Sequence, residues 1–372
     1  MQLINGSKFL AVSAFGAHDK AGREHLVIVA KSSWRIPDQG QRARPIEPQP
    51  IVEADLYAGE PGMSALLYGS DILHRKPKCD VLLNANGHAP EGKPVAELLA
   101  GFRIGNLQKL IKVHGKRQWH KRLGVYALSA AEPFLSMPLH FGLAFGGMRP
   151  IRGSEKEGKP TLFESLLTNP AGIGWGGKQT EGDLDGAPAP SLEAMNDPVR
   201  SPGGDHAPAA FSAIGRHWQP RAGFAGTYDD AWLRDVFPFL PADFDDRFNQ
   251  CAPVDQQIDY PVGGEEVVLL NMMKDQPQVR FVLPNLQTVP IAILDVRYKT
   301  HTPTVVVDTL YFEPDEHRFS AVWRASIPLK RGIHEIKTVS IGALARQQLD
   351  AEIAGGGCKN CGKTESGLET EA

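Results

Sequence analysis

The sequence predicts a mainly β protein, with antiparallel, sandwich-like sheets, a Gly/Pro-rich loop insert and little helix. Three observations carry this. Period-two alternation is sustained near the carboxyl end, where Phe319, Ala321, Trp323, Ala325 and Ile327 oppose Ser320, Arg324 and Ser326. Gly and Pro together make up 67 of 372 residues, about 18% against roughly 12% on average, which favours short strands joined by many turns. Two-residue turn chemistry also recurs: Gly105-Asn106 separates a strand carrying Ala100, Phe102 and Ile104 from one carrying Leu107, Ile111 and Val113.

In chain order, Phe9 to Phe15 and Leu26 to Trp34 form a hairpin around His18–Gly22. Leu26–Ala30 is apolar on both faces, as expected of a strand covered on both sides. Val81, Leu83 and Ala85 give the next strand one fully apolar face, and His88-Ala89-Pro90-Glu91-Gly92 breaks it. Between Pro150 and Pro190, thirteen of 41 positions are Gly or Pro and periodicity is lost, so this stretch reads as functional or mobile loop. Thr227 and Asp230 resemble a capping box for a short helix ending before Pro238. Strand periodicity returns over 265–345, with Ala292, Leu294, Val296 and Tyr298 on one face. The polar alternate positions predict one wet face. A short helical run to Ile353 precedes a polar tail. The expected organisation is a β region over 1–149, a loop-rich insert with a short helix over 150–245, a second β region over 246–345, and a helix end and tail over 346–372.

Composition bounds the function classes. A net charge of −3 offers no global field for nucleic acid or anionic lipid. The apolar runs are too short to span a bilayer and no signal peptide opens the chain. Four cysteines in this length are no disulfide framework, so a cytoplasmic protein is expected.

The motifs yield no enzyme. Gly357–Thr364 matches a phosphate-loop pattern by letter, yet a helical run precedes it and too little chain follows for the helix that such a loop requires. Gly172–Lys178 nearly matches the same pattern but follows Asn169-Pro170 instead of a strand, which leaves a glycine loop. Cys358 and Cys361 have the spacing of half a zinc site without a second half; unless another chain completes it, they are part of a solvated tail. Asp71, His74, Asp80 and His88 lie close in sequence and admit a carbohydrate-binding or hydrolytic reading. Histidines spread over turns and strand faces are more often structural.

An ordered series of phrases resembles one family, the domain of unknown function 2169 proteins of bacterial type VI secretion gene clusters. The phrases are Lys76-Pro77-x-x-Asp80-Val81, Gly87-His88-Ala89-Pro90, Ala144-Phe145-Gly146-Gly147, Asn169-Pro170-x-Gly172-x-Gly174, Trp218-x-Pro220-Arg221, Gly226-Thr227-Tyr228-Asp229, Leu240-Pro241-x-Asp243-Phe244, Ala252-Pro253-x-Asp255-Gln256, Asp308-Thr309-Leu310 and Val322-Trp323-Arg324. Cys79 departs from the expected small residue, and Ser191 from the expected Asn before Leu192-Glu193. The resemblance implies a non-catalytic adaptor or chaperone. It would hold a secreted toxin effector, often one with a spike-tip (PAAR-type) domain, help load it onto the valine-glycine-repeat spike, and use no cofactor. The stretch 150–225 is the expected effector surface. Trp175 is either an exposed anchor in that surface or a plug folded back onto the core.

Overall fold

The computed structural model describes residues 1–38, 41–151, 161–178, 184–287 and 289–356. Its largest sheet has the strand order Ala11–His18, Glu24–Arg35, Arg318–Pro328, Val305–Glu313, Cys79–Leu83, Gln257–Ile258, with Arg44–Ile46 added beside Glu24–Arg35. All pairings in it are antiparallel except that of Cys79–Leu83 with Val305–Glu313. A five-stranded antiparallel sheet runs Leu192–Ala194, Leu107–His114, Glu97–Ile104, Glu266–Met273, Gln276–Val282. A third sheet places Gln2–Asn5 parallel to Ile336–Ile341, followed by Ile291–Asp295 and Thr300–His301. Strands from 1–149 and 246–345 thus pair within the same sheets.

The apolar faces of these sheets meet in one core. Leu26, Ile28, Phe312, Phe319 and Trp323 of the first sheet pack in the same cluster as Phe102, Ile111 and Leu269 of the second and Ile293 and Val339 of the third. Trp34 stacks on Phe319 at a ring distance of 5.4 Å. The alternation read over 318–328 is therefore real. The wet face is not: Ser320 and Arg324 are buried along with Val322. That second face is covered by chain from three distant stretches. Tyr311 and Leu82 pack there against Leu66, Ala213, Cys251 and Ala252.

Two further expectations change. The strand expected to continue through Tyr298 ends at Asp295, whose Oδ1 accepts the N–H groups of Arg297 and Lys299 and turns the chain. Tyr298 then takes a positive φ of 61°. The short helix α1 spans Asp230–Asp235, but its cap is Asp229, whose carboxylate accepts from the Trp232 N–H. Thr227 is drawn off to Asp243 instead, through both its N–H and its hydroxyl. The expected carboxyl-terminal helix is present as α2, Ala345–Gly356, with Ala345 and Leu349 packed on Ala292 and Leu294.

The Gly/Pro-rich stretch is anchored by phrase-to-phrase contact. Phe145-Gly146 pairs in parallel with Ile173-Gly174. Gly146, at φ 156°, lies so close to Asn169 that a Cβ would sit 2.2 Å from its carbonyl oxygen. The Asn169 side-chain amide donates to the carbonyls of Phe141 and Phe145. Trp175 is 7% exposed and packs with Trp119, Phe145, Leu184, Ala189 and Val199. Of the two expectations for Trp175, the structure has the plug: the ring fills a satellite core and is not an exposed anchor.

Trp175→Ala should therefore cost roughly 3–5 kcal/mol of stability, read as a lowered denaturant midpoint. An unchanged midpoint would contradict its burial.

Candidate functional site

The residue types that suggested chemistry converge on the covered face of the large sheet. Cys79–Leu83 directs Asp80 to this face, and a register shift between Val307 and Thr309 lets Asp308 and Thr309 both contribute to it. Lys76 Nζ lies 2.8 Å from Asp80 Oδ2 and donates to Thr309 Oγ1 at 2.8 Å. The Thr309 hydroxyl donates to Asp308 at 3.0 Å, and Asp308 pairs with Arg324. Arg324 also donates to the carbonyls of Asp71 and Leu73 at 2.9 Å. Asp71 closes the series by pairing with Lys31 at 3.1 Å and accepting from the Val52 N–H at 2.9 Å. Three cations and three anions balance. Arg324 Nη2 is one buried nitrogen here with no acceptor.

Asp80 has no exposed surface. Its remaining acceptor positions are filled from far along the chain, by the Gln250 side-chain amide at 2.8 Å and the Cys251 N–H at 2.9 Å. Burial alone would raise its pKa, but the Lys76 ammonium and these donors hold it below the ordinary carboxylate value. Burial pushes the Cys251 thiol up to about 12, so it is no thiolate nucleophile at neutral pH. The cavity between Lys31, Asp71, Lys76 and Tyr311 measures about 20 Å³, the scale of one water molecule and too small for a substrate.

The proposed Asp71–His88 grouping disperses. Asp71 pairs with Lys31, and His74 meets Ser326 at 3.2 Å and the His25 ring at 4.5 Å. His88 binds Asp315 at 2.6 Å on the 314–316 turn. Each titratable group has its own partner and no shared open centre forms. Gly172–Lys178 contains the short strand Ile173–Gly174, and the described residues 175–178 after it are not helical. Cys358, Cys361 and the Gly357–Thr364 pattern lie outside the described residues. Among the described residues, no group of three or more His, Cys, Asp or Glu is placed to hold a metal ion, and no helix is long and apolar enough to cross a membrane.

A model of an uncharacterized family conserved in bacteria, DUF2169, matches residues 21–324. The chain belongs to that family. Every member of the ionic series, from Lys31 to Arg324, falls inside the DUF2169 match. No curated protein and no solved structure matches the chain.

What reading the sequence missed is on the outside. Around α1, Tyr228, Leu233, Phe237 and Phe239 are exposed, Leu233 and Phe237 by about 60%. The Trp232 ring is edge-on to Tyr228 at 4.7 Å and to Phe237 at 5.6 Å. Its indole N–H donates to the Phe239 carbonyl at 2.9 Å, which closes the segment on itself. Phe239 leans on His18, at the tip of the first hairpin, at 5.4 Å. The available signal was aromatic density beside a helix too short to bury two faces.

Folded-state lowering of the Asp80 pKa means that its stabilisation is complete above the unfolded value, about 3.9, and drains as pH falls through the folded one. Lys76 is shifted upward, mainly by Asp80 against the opposing effect of burial, so its share is complete below about 10.4 and is lost only in strong alkali. The urea midpoint should hold between pH 5 and 9, as these two unfolded values require, and fall below about pH 4. Asp80→Asn should cost roughly 3–5 kcal/mol at neutral pH by leaving Lys76 buried and unpaired, and should shrink the acid limb. An acid limb of full size in that variant would contradict the assignment.

Proposed function

We propose that this chain is a non-catalytic adaptor that binds a type VI secretion effector, such as one bearing a PAAR-type domain, and helps load it onto the secretion spike. One observation carries the reading. Six polar residues of the family phrases, Lys76, Asp80, Arg221, Gln256, Asp308 and Arg324, are buried and bonded within the fold, while the phrase beginning at Gly226 carries exposed polar residues and leads into an exposed aromatic cluster. Residues sealed this way do not reach a substrate. Exposed aromatic side chains are the type that dominates protein interfaces.

The α1 segment replaces Trp175 as the contact surface. Its aromatic side chains are held in place before any partner arrives, by the Asp229 cap and the Trp232 N–H to Phe239 bond, which lowers the ordering cost of binding. Phe163 and Leu167 are further exposed apolar residues in the stretch expected to form the effector surface. The hydrolytic alternative at Asp71–His88 loses support, because Asp71 and Asp80 are buried and paired.

The test pairs the chain with the toxin encoded beside its gene. Phe237→Ala with Leu233→Ala should leave the melting temperature nearly unchanged and weaken co-purification about 30-fold, equivalent to about 2 kcal/mol. Undiminished co-purification by the stable double variant would remove this surface. Failure of the intact chain to bind the toxin would remove the adaptor reading.

A further inference from the structure

A cleft of about 1000 Å³ opens between the turn after Asp295 and the loop from Ile327 to Glu335, at the top of the size range of ligand pockets. Arg297 and Lys299 line it from one side, Lys330 and Arg331 from the other, and none of the four makes an ion pair with a described residue. Elsewhere on the surface, arginines such as Arg234, Arg247 and Arg346 are paired with neighbouring aspartates. The two carboxylates of the lining do not neutralise the four cations. Asp295 is occupied by two backbone N–H groups and by His301 at 3.0 Å. Glu335 Oε1 is buried with no donor at all. Like charges set around one concavity focus the field and draw in an anion. The walls also carry apolar surface: Val296 is about half exposed, and Ile327 is half-buried.

We propose that this cleft binds an extended acidic peptide segment, with Asp or Glu alternating with apolar residues, presented by a partner protein. Charge complementarity selects the carboxylates, and the volume of about 1000 Å³ accommodates several residues. Val296 and Ile327 on the walls meet the apolar residues of such a peptide, which an inorganic polyanion does not have. The inference stands apart from the adaptor reading, since peptide binding is measurable on the chain alone.

The experiment is fluorescence anisotropy of the full chain with a labelled peptide alternating glutamate and leucine. The acidic peptide should bind, and more weakly as salt rises. Its lysine–leucine counterpart should not bind. Arg297→Gln with Lys330→Gln should weaken binding about tenfold, a typical loss for two partly exposed pairs, with the melting temperature unchanged. Three outcomes would overturn the proposal: no binding, binding indifferent to the double variant, or displacement by tripolyphosphate at the peptide's own affinity, which marks a phosphate site. A fourth result would overturn the partner as occupant. If the peptide binds only after Glu365→Gln, Glu369→Gln and Glu371→Gln, the cleft serves this chain's own carboxyl-terminal segment.

Discussion

A carboxylate removed entirely from water must be given a counter-charge and several donors, and Asp80 obtains them from two parts of the chain. Lys76 arrives from the loop just before its own strand, and Gln250 and Cys251 from about 170 residues further on. Through Thr309 and Asp308 the same charge is tied to Arg324, and through Arg324 to the loop carrying Asp71. Asp80 and Arg324 gain their loop partners only when the covering segments have docked on the sheet. Buried ion pairs are weak sources of net stability, because well-packed apolar replacements are often as good or better. Their effect here is specificity: one arrangement of distant segments satisfies every charge, and misdocked ones strand a charge in the interior at several kcal/mol.

This constraint explains how work is divided in the molecule. The covered face of the large sheet uses up the reactive-looking side chains in holding loops, and Asn169 with Gly146 does the same for the Gly/Pro-rich stretch. At the periphery stand two surfaces of opposite chemistry. One is the aromatic segment around α1, with Asp229, Asp230 and Asp235 among its aromatic residues. The other is the basic cleft beside Arg297 and Lys330. Distinct apolar and charged surfaces are what the proposed adaptor would need to grip more than one feature of a cargo.

Much of the fold was legible in the sequence. Gly105-Asn106 marked its hairpin because a two-residue turn dictates register locally, and Ile104 does pair with Leu107. Alternation over Phe319–Ile327 identified the strand and the side that faces the core. It could not say whether the polar side meets water, since a period of two is the same for a wet face and for a face buried under ionic partners. The cover comes from Pro50–Leu73 and from around Ala213 and Cys251, too remote to read from the strand itself. The fate of Trp175 was hidden for a similar reason: its neighbours Trp119 and Phe145 lie 30 or more positions away. The Lys76–Asp80 spacing resembles a helical pair, yet Asp80 lies on a strand and Lys76 in the loop before it.

The central claim is that the charge series binds both ends of the chain into one cooperative unit. Native-state hydrogen exchange tests it most directly, by comparing amides of Glu24–Arg35 and Cys79–Leu83 with those of Val305–Glu313 and Arg318–Pro328. The slowest amides of all four strands should open with one common free energy, and Asp308→Asn should lower it equally in all of them. Separate opening energies for the two pairs of strands, or a loss confined to the strands nearest Asp308, would contradict it.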